Sequence, residues 1–257
     1  MGILNQKKIL ITGVLNDQSL AFATAVAAQE EGADILLTGF GRGMSITARV
    51  ARRLNPVPEV LELDVANPEH FGALHDAIAA RFGHLDGVLH SIGFAPAACL
   101  DPDMFVAEWS DVATAVQVSA YSLAPLIKAL LPLLTKGTCP SIVGLDFDAS
   151  MAWPGYNWMG IAKAALESLN RYMAREVGKY GVRVNLVSAG PVRTIAAKSV
   201  GGFSDFETVW AQRAPLGWQV TDPTPVARSI VALMSDYFPA TTGEIIHVDG
   251  GFHAVGA

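Results

Sequence analysis

Seven short runs rich in β-branched residues and leucine recur along the chain, separated by longer stretches whose apolar residues fall at helical spacing. The short runs cover 8–11, 34–38, 59–63, 87–90, 141–145, 183–188 and 244–248. The helical stretches fall at about 18–31, 44–54, 68–82, 103–134, 156–180 and 223–235. This alternation constrains the fold more than any other feature. Strands joined through helices lie parallel, and right-handed crossovers leave few topologies. The expected fold is α/β: a doubly wound parallel sheet of about seven strands with helices on both faces. Ligands in such sheets bind beyond the carboxyl ends of the strands. Functional residues are therefore expected just after the strands.

Composition narrows the function classes. The 257 residues are 51% apolar, enough for one large core, and no linker, repeat or low-complexity segment divides them. One domain over 1–257 is expected. A net charge of −6, with Lys and Arg thinly spread, argues against a nucleic-acid partner. Cys99 and Cys139 have neither metal nor redox spacing, and the six histidines contain no HExxH, so no metal is expected. The N-terminus shows no signal-peptide core, and no apolar run of about 18 residues is apparent, so neither export nor a membrane span is expected. A cytoplasmic location is the simplest expectation.

The turn after the first run reads Thr12-Gly13-Val14-Leu15-Asn16-Asp17-Gln18-Ser19-Leu20-Ala21. Gly13 permits a tight turn and close approach of backbone to a pyrophosphate. The helix opening near Ser19 aims free N–H groups at the same place. Ser19 can cap the helix or donate to a phosphate, and Ala21 is small enough for close helix–strand packing. An ordinary capped turn fits the same residues. After the second run, Phe40 suits adenine stacking or rim packing, and Arg42 suits a 2′-phosphate or open solvent. After the third, Asp64 suits either the adenine amino group or a helix cap, with Val65 over the ring. After the fourth, Ser91 and Gly93 let backbone pass close to a ribose, and His90 reads as a core histidine.

After the fifth run come Asp146-Phe147-Asp148 and then Tyr156-Asn157-Trp158-Met159-Gly160-Ile161-Ala162-Lys163. Tyr156 and Lys163, seven apart, lie about two helical turns from each other on one face. The ordered set of Gly13 with Ser19 and Ala21, Leu63-Asp64-Val65, Ser91-Ile92-Gly93, Tyr156 with Lys163, Ala189-Gly190-Pro191-Val192-Arg193-Thr194 and Val248-Asp249-Gly250-Gly251 spans nearly the whole chain. In this it resembles the enoyl-acyl carrier protein reductases, a divergent branch of the short-chain dehydrogenase/reductases with a Rossmann-like fold. The wider family places its lysine four after the tyrosine; here that position is Gly160, which disfavours a ketoreductase. The stretches around Phe147 and Tyr156 look most like the actinobacterial, mycolate-pathway type.

The resemblance implies reduction of the 2,3 double bond of trans-2-enoyl thioesters, carried on acyl carrier protein or CoA, with NADH preferred over NADPH. It implies catalytic roles for Tyr156, Lys163 and Phe147, and a substrate border at Tyr156, Met159 and Phe147, with Trp158 either beside the acyl pocket or in the core. It implies cofactor contacts at Gly13, Leu15, Ser19, Leu20, Phe40, Asp64, Val65, Ser91, Ile92, Gly93, Lys163, Val192 and Thr194. It also implies a homotetramer, with 120–134 and 156–180 as candidate contact helices, and a substrate-covering segment at about 194–212. That segment is shorter than in the mycolate-pathway type, so short-to-medium acyl chains are expected. A reductase of a specialised pathway and a non-catalytic NAD(H)-binding regulator stay open on the sequence.

Overall fold

The computed structural model describes residues 1–194 and 203–256. Seven strands, β1 (Lys8–Ile11), β2 (Asp34–Gly39), β3 (Val60–Glu62), β4 (Gly87–His90), β5 (Ser141–Asp146), β6 (Arg183–Ala189) and β7 (Ile245–Val248), form one sheet. Their order is β3-β2-β1-β4-β5-β6-β7 and every pairing is parallel. The chain reverses its winding between β1 and β4, where a doubly wound sheet opens a cleft at the carboxyl end. The sheet and its doubly wound topology match the expectation.

Alternation along buried strands sorts side chains between two cores. In β6, Val184 and Leu186 enter one core and Val187 and Ala189 the other. The first core packs against α3 (Pro68–Arg81), α5 (Leu123–Leu134) and α6 (Asn157–Val177). The second packs against α1 (Leu20–Glu30), α2 (Gly43–Ala51) and α8 (Thr224–Met234). Helix α1 turns Ala21, Ala25 and Ala28 to the sheet, and these small side chains let it pack close. The chain also contains α4 (Trp109–Val116) and α7 (Phe203–Arg213).

Three local differences from the expected elements have tertiary causes. The stretch 103–134 is not one helix. It begins in a short 3-10 turn, runs through α4, loosens into a π-helical turn at Gln117–Tyr121, and continues as α5. The π turn holds Ser119, whose hydroxyl donates to the Phe94 carbonyl and accepts from the Phe94 N–H. Helix α3 is capped by Asn67, which accepts from the Glu69 N–H, and not by Asp64. Finally, the helical run Trp109–Leu134 is apolar enough, by length and composition alone, to cross a membrane, although no such run was expected. Its apolar side has another use: Leu123, Leu126, Ile127, Leu130, Leu133 and Leu134 fill the first core.

Candidate active site

The turns that follow β1 and β4 are stitched together. Thr12 donates its hydroxyl to the Leu89 carbonyl and accepts from the Ser91 N–H. Gly13 has φ +81°, and a Cβ there would lie 1.9 Å from the Ser91 carbonyl oxygen. Only glycine lets these two turns meet. Helix α1 opens beside them. Ser19 accepts from the Phe22 N–H as the cap, and its own hydroxyl donates to the Asn16 carbonyl. Of the two roles open to Ser19, the structure displays the cap. Among the described residues the first two helical N–H groups, on Leu20 and Ala21, meet no acceptor, the arrangement that suits an anion.

Around this cleft stand the other expected contacts. Leu15 and Phe40 are about half exposed, whereas Arg42 is exposed at the start of α2. Asp64 accepts from the Ala66 N–H, and its own N–H donates to His70 Nδ1. Val65 and Ile92 pack against the first core. A Cβ on Gly93 would lie 3.2 Å from Met159 Cε, so the β4 turn touches the start of α6. Val192 is buried, and Thr194 N–H donates to its carbonyl. Of the expected covering segment, 195–202 lie outside the described residues, while α7 is held to the β6 turn by the Arg193–Glu207 ion pair.

Tyr156 and Lys163 converge at the carboxyl end of β5. Tyr156 is not within α6 but at its N-cap, and Asn157 takes a left-handed φ of +39°. The strained residue is tied down, since Asn157 Nδ2 donates to the Asp101 carbonyl at 2.5 Å. Lys163 Nζ donates to the Leu145 carbonyl at 2.8 Å. An ammonium carries three donors, so among the described residues two remain for other oxygens. Burial holds the Tyr156 phenol above its ordinary pKa, reinforced by the Asp146 charge. Burial lowers the Lys163 pKa, while Asp146 and Glu167 oppose that shift.

The loop between β5 and α6 is fixed by its own polar bonds. Ala149 N–H donates to Glu167 Oε1, Ser150 N–H to Asp148 Oδ1, and the Trp153 indole to the Asp148 carbonyl. Phe147 thereby meets Tyr156 edge-on, with ring centroids 5.2 Å apart. Trp158 turns away: its indole donates to the Met104 carbonyl and it packs on a satellite core with Cys99, Val112 and Ala115. His90 is fully buried, and burial pushes it down to about 3. The Ser122 hydroxyl donates to Val118, so His90 Nε2 donates to Ser122.

Residue spacing pointed to neither Asp146 nor Glu167. Asp146 faces α6 beneath Lys163, and burial pushes its carboxyl up to about 8. Its place as the last residue of β5, one before Phe147, was the available signal.

The residues present suit a nicotinamide dinucleotide. Free helix N–H groups and a glycine-lined turn fit the pyrophosphate, and two unused ammonium donors fit ribose hydroxyls. Comparison with known proteins points the same way. A family model described as enoyl-(acyl carrier protein) reductase matches residues 13–253. The chain is 49% identical over 264 residues to the enoyl-acyl-carrier-protein reductase (NADH) of Mycolicibacterium smegmatis, covering 97% of each chain. It is 48% identical over 263 residues to the protein of that name from Mycobacterium avium, again covering 97% of each. A relative from Aquifex aeolicus, also named as an NADH enoyl-acyl-carrier-protein reductase, is 36% identical over 263 residues, covering 100% of this chain and 94% of its own. Sheet order, the turns at Gly13 and Ser91, the Tyr156–Lys163 pair and these full-length likenesses lead to one conclusion: the chain belongs to the enoyl-acyl carrier protein reductase family.

Proposed function

We propose that the chain, acting as a single domain, is an NADH-dependent reductase of trans-2-enoyl thioesters in fatty acid synthesis, with acyl carrier protein or CoA as the carrier. The observation that carries the reading is the pairing of a half-buried phenol with a lysine that keeps two donors unused among the described residues, at the carboxyl end of β5. When bound, NADH supplies a hydride to the β-carbon of the thioester. Negative charge then develops on the thioester carbonyl oxygen. The Tyr156 hydroxyl donates to that oxygen and stabilises the enolate. Its raised pKa keeps the proton on the phenol, so it acts as a hydrogen-bond donor. Lys163 holds the nicotinamide ribose hydroxyls. Phe147 packs beside the ring and steers the substrate toward Tyr156, and Met159 borders the carbonyl end.

Gly13, Leu15, Ser19, Leu20, Phe40, Asp64, Val65, Ser91, Ile92, Gly93, Val192 and Thr194 line the cofactor. Ser19 does so by shaping the helix start. A homotetramer in the cytoplasm completes the reading. The apolar residues of 120–134 are largely used in the core, so the assembly would draw on the exposed Trp109, Tyr121, Ile161 and Tyr172 instead. The test is loss of NADH absorbance with crotonyl, octenoyl and dodecenoyl thioesters, with NADPH in parallel. NADH oxidation that depends on the thioester, and that Tyr156→Phe suppresses, supports the reading. Tight NADH binding without turnover of any thioester would sink it.

A further inference from the structure

Five aromatic rings from three separate stretches meet beside Tyr156. Phe147 and Trp153 come from the loop after β5, Phe206 and Trp210 from α7, and Phe252 from the turn after β7. Their contacts are continuous. Phe147 lies 5.4 Å from Trp153 and 5.9 Å from Phe206, Trp153 lies 5.2 Å from Trp210, and Trp210 stacks on Phe252 at 3.8 Å and 10°. Phe206, Trp210 and Phe252 are buried. The cluster covers the β5–β7 side of the sheet, whereas the dinucleotide cleft lies over β1 to β4. An acyl chain held by its carbonyl at Tyr156 and facing a cofactor in that cleft has to leave toward these rings.

Two of the rings are anchored by polar bonds outside the cluster. The Trp153 indole donates to the Asp148 carbonyl at 2.6 Å. Phe252 is driven inward by the left-handed pair Gly250 (φ +73°) and Gly251 (φ +87°). Asp249, itself buried, fixes that turn by accepting from the Gly251 and His253 N–H groups. The Arg213 guanidinium lies 4.6 Å over the Phe252 ring and donates to the Val255 carbonyl. Moving Trp153 breaks a hydrogen bond as well as packing, and moving Phe252 gives up its stack on Trp210 and its contact with Arg213.

We propose that Trp153 and Phe252 are specificity-determining residues that close the acyl side of the site, so that the substrates are short- and medium-chain enoyl thioesters. The inference rests on the reading of Tyr156 as the donor to the thioester carbonyl. A crotonyl group carries only a methyl beyond the double bond and leaves the rings in place. Each further pair of methylenes must find room among side chains that already touch.

The test is the kcat/KM profile of the full-length protein with NADH and crotonyl-, octenoyl-, dodecenoyl- and hexadecenoyl-CoA, repeated for Phe252→Ala and Trp153→Met. The wild-type value is expected to fall at least about tenfold from octenoyl to hexadecenoyl, the scale on which an apolar pocket discriminates size. Each variant is expected to raise the hexadecenoyl-to-octenoyl ratio about tenfold, chiefly through a lower KM for the long chain. A wild-type profile that keeps rising to hexadecenoyl overturns the proposal without either variant, even if one of them does not fold. A ratio that moves in neither variant also overturns it. Turnover of crotonyl-CoA in those cases leaves the reductase reading standing; no turnover of any chain removes both.

Discussion

The two edges of the sheet use their polar groups differently. At the amino ends of the strands, polar groups are tied into the fold. Arg183, at the start of β6, is buried and donates to the carbonyls of Leu233, Phe238, Cys139 and Ser235. Asp86, just before β4, accepts from the Lys8 and Thr138 N–H groups. Ser141, at the start of β5, donates to Leu233. The amino edge is not free of unfavourable groups, since Arg183 Nε meets no partner among the described residues and Gln6 and Cys139 are left-handed, but the carboxyl ends place such groups beside the ligand cleft. Among the described residues the Asp146 carboxyl has the Phe147 N–H and the Glu167 carboxyl nearby, neither in good hydrogen-bond geometry, and His90 Nδ1 meets no partner. Asn157 is left-handed, and among the described residues Lys163 carries unused donors. Unpaired buried groups lower stability. Those at the carboxyl ends put that cost beside the place where ligands bind.

Substitutions on the two edges should therefore differ in what they damage. Arg183→Met leaves four carbonyls, those of Leu233 and Ser235 buried, without their donor and is expected to lower stability by about 3–5 kcal/mol. Urea denaturation measures it, and a loss below about 1 kcal/mol would break the contrast. Tyr156→Phe is expected to cost about 10²–10³ in kcat, or roughly 2.7–4 kcal/mol of transition-state stabilisation, while the urea midpoint stays near that of the wild type. A large drop in midpoint with kcat intact would place Tyr156 among the structural residues. Gly13→Ala puts a Cβ 1.9 Å from the Ser91 carbonyl oxygen and onto a left-handed φ. It is expected to weaken NADH binding about tenfold or more, since the backbone conformation alone costs roughly 1–2 kcal/mol. Quenching of protein fluorescence by NADH reads it directly.

The carboxyl edge was also the more legible one in sequence. Short buried strands such as 8–11 and 87–90 stand out because both faces are apolar and turn residues bound them. The topology then puts Gly13, Ser91 and Tyr156 at one edge without further information. What periodicity cannot display is pairing between distant segments. The π turn at Gln117–Tyr121 depends on Ser119 meeting the Phe94 backbone, a contact 25 residues away. Asn67 takes the cap that Asp64 was open to, because Pro68 fits the first helical position. Arg183 looks like an ordinary strand-edge cation until four carbonyls from two other segments surround it. The ring cluster draws Phe147, Phe206 and Phe252 from stretches that look unrelated in sequence.

The last effect expected is a change in how stability depends on pH. An unfolded aspartate gives up its proton near pH 4, whereas in the fold Asp146 holds its proton up to about 8, chiefly because burial disfavours the charge. Between those values the folded chain binds more protons than the unfolded chain. Stability therefore falls as pH rises through the window, by no more than about 1.4 kcal/mol per pH unit. The nearby Lys163 ammonium favours the carboxylate and flattens the slope, while Glu167 steepens it. His90, on the neighbouring strand, stays neutral across this range. Lys163 has its own linkage of opposite sign: its lowered pKa makes stability rise with pH, in a window that ends near its ordinary value of 10.5. Asp146→Asn removes the falling limb and keeps the shape of the side chain. Its stability relative to the wild type should thus climb from pH 5 to pH 8 in paired urea titrations, with the other groups cancelling in the difference. Parallel curves would mean that Asp146 is as well paired as Asp86, and the two edges of the sheet would then follow the same rule.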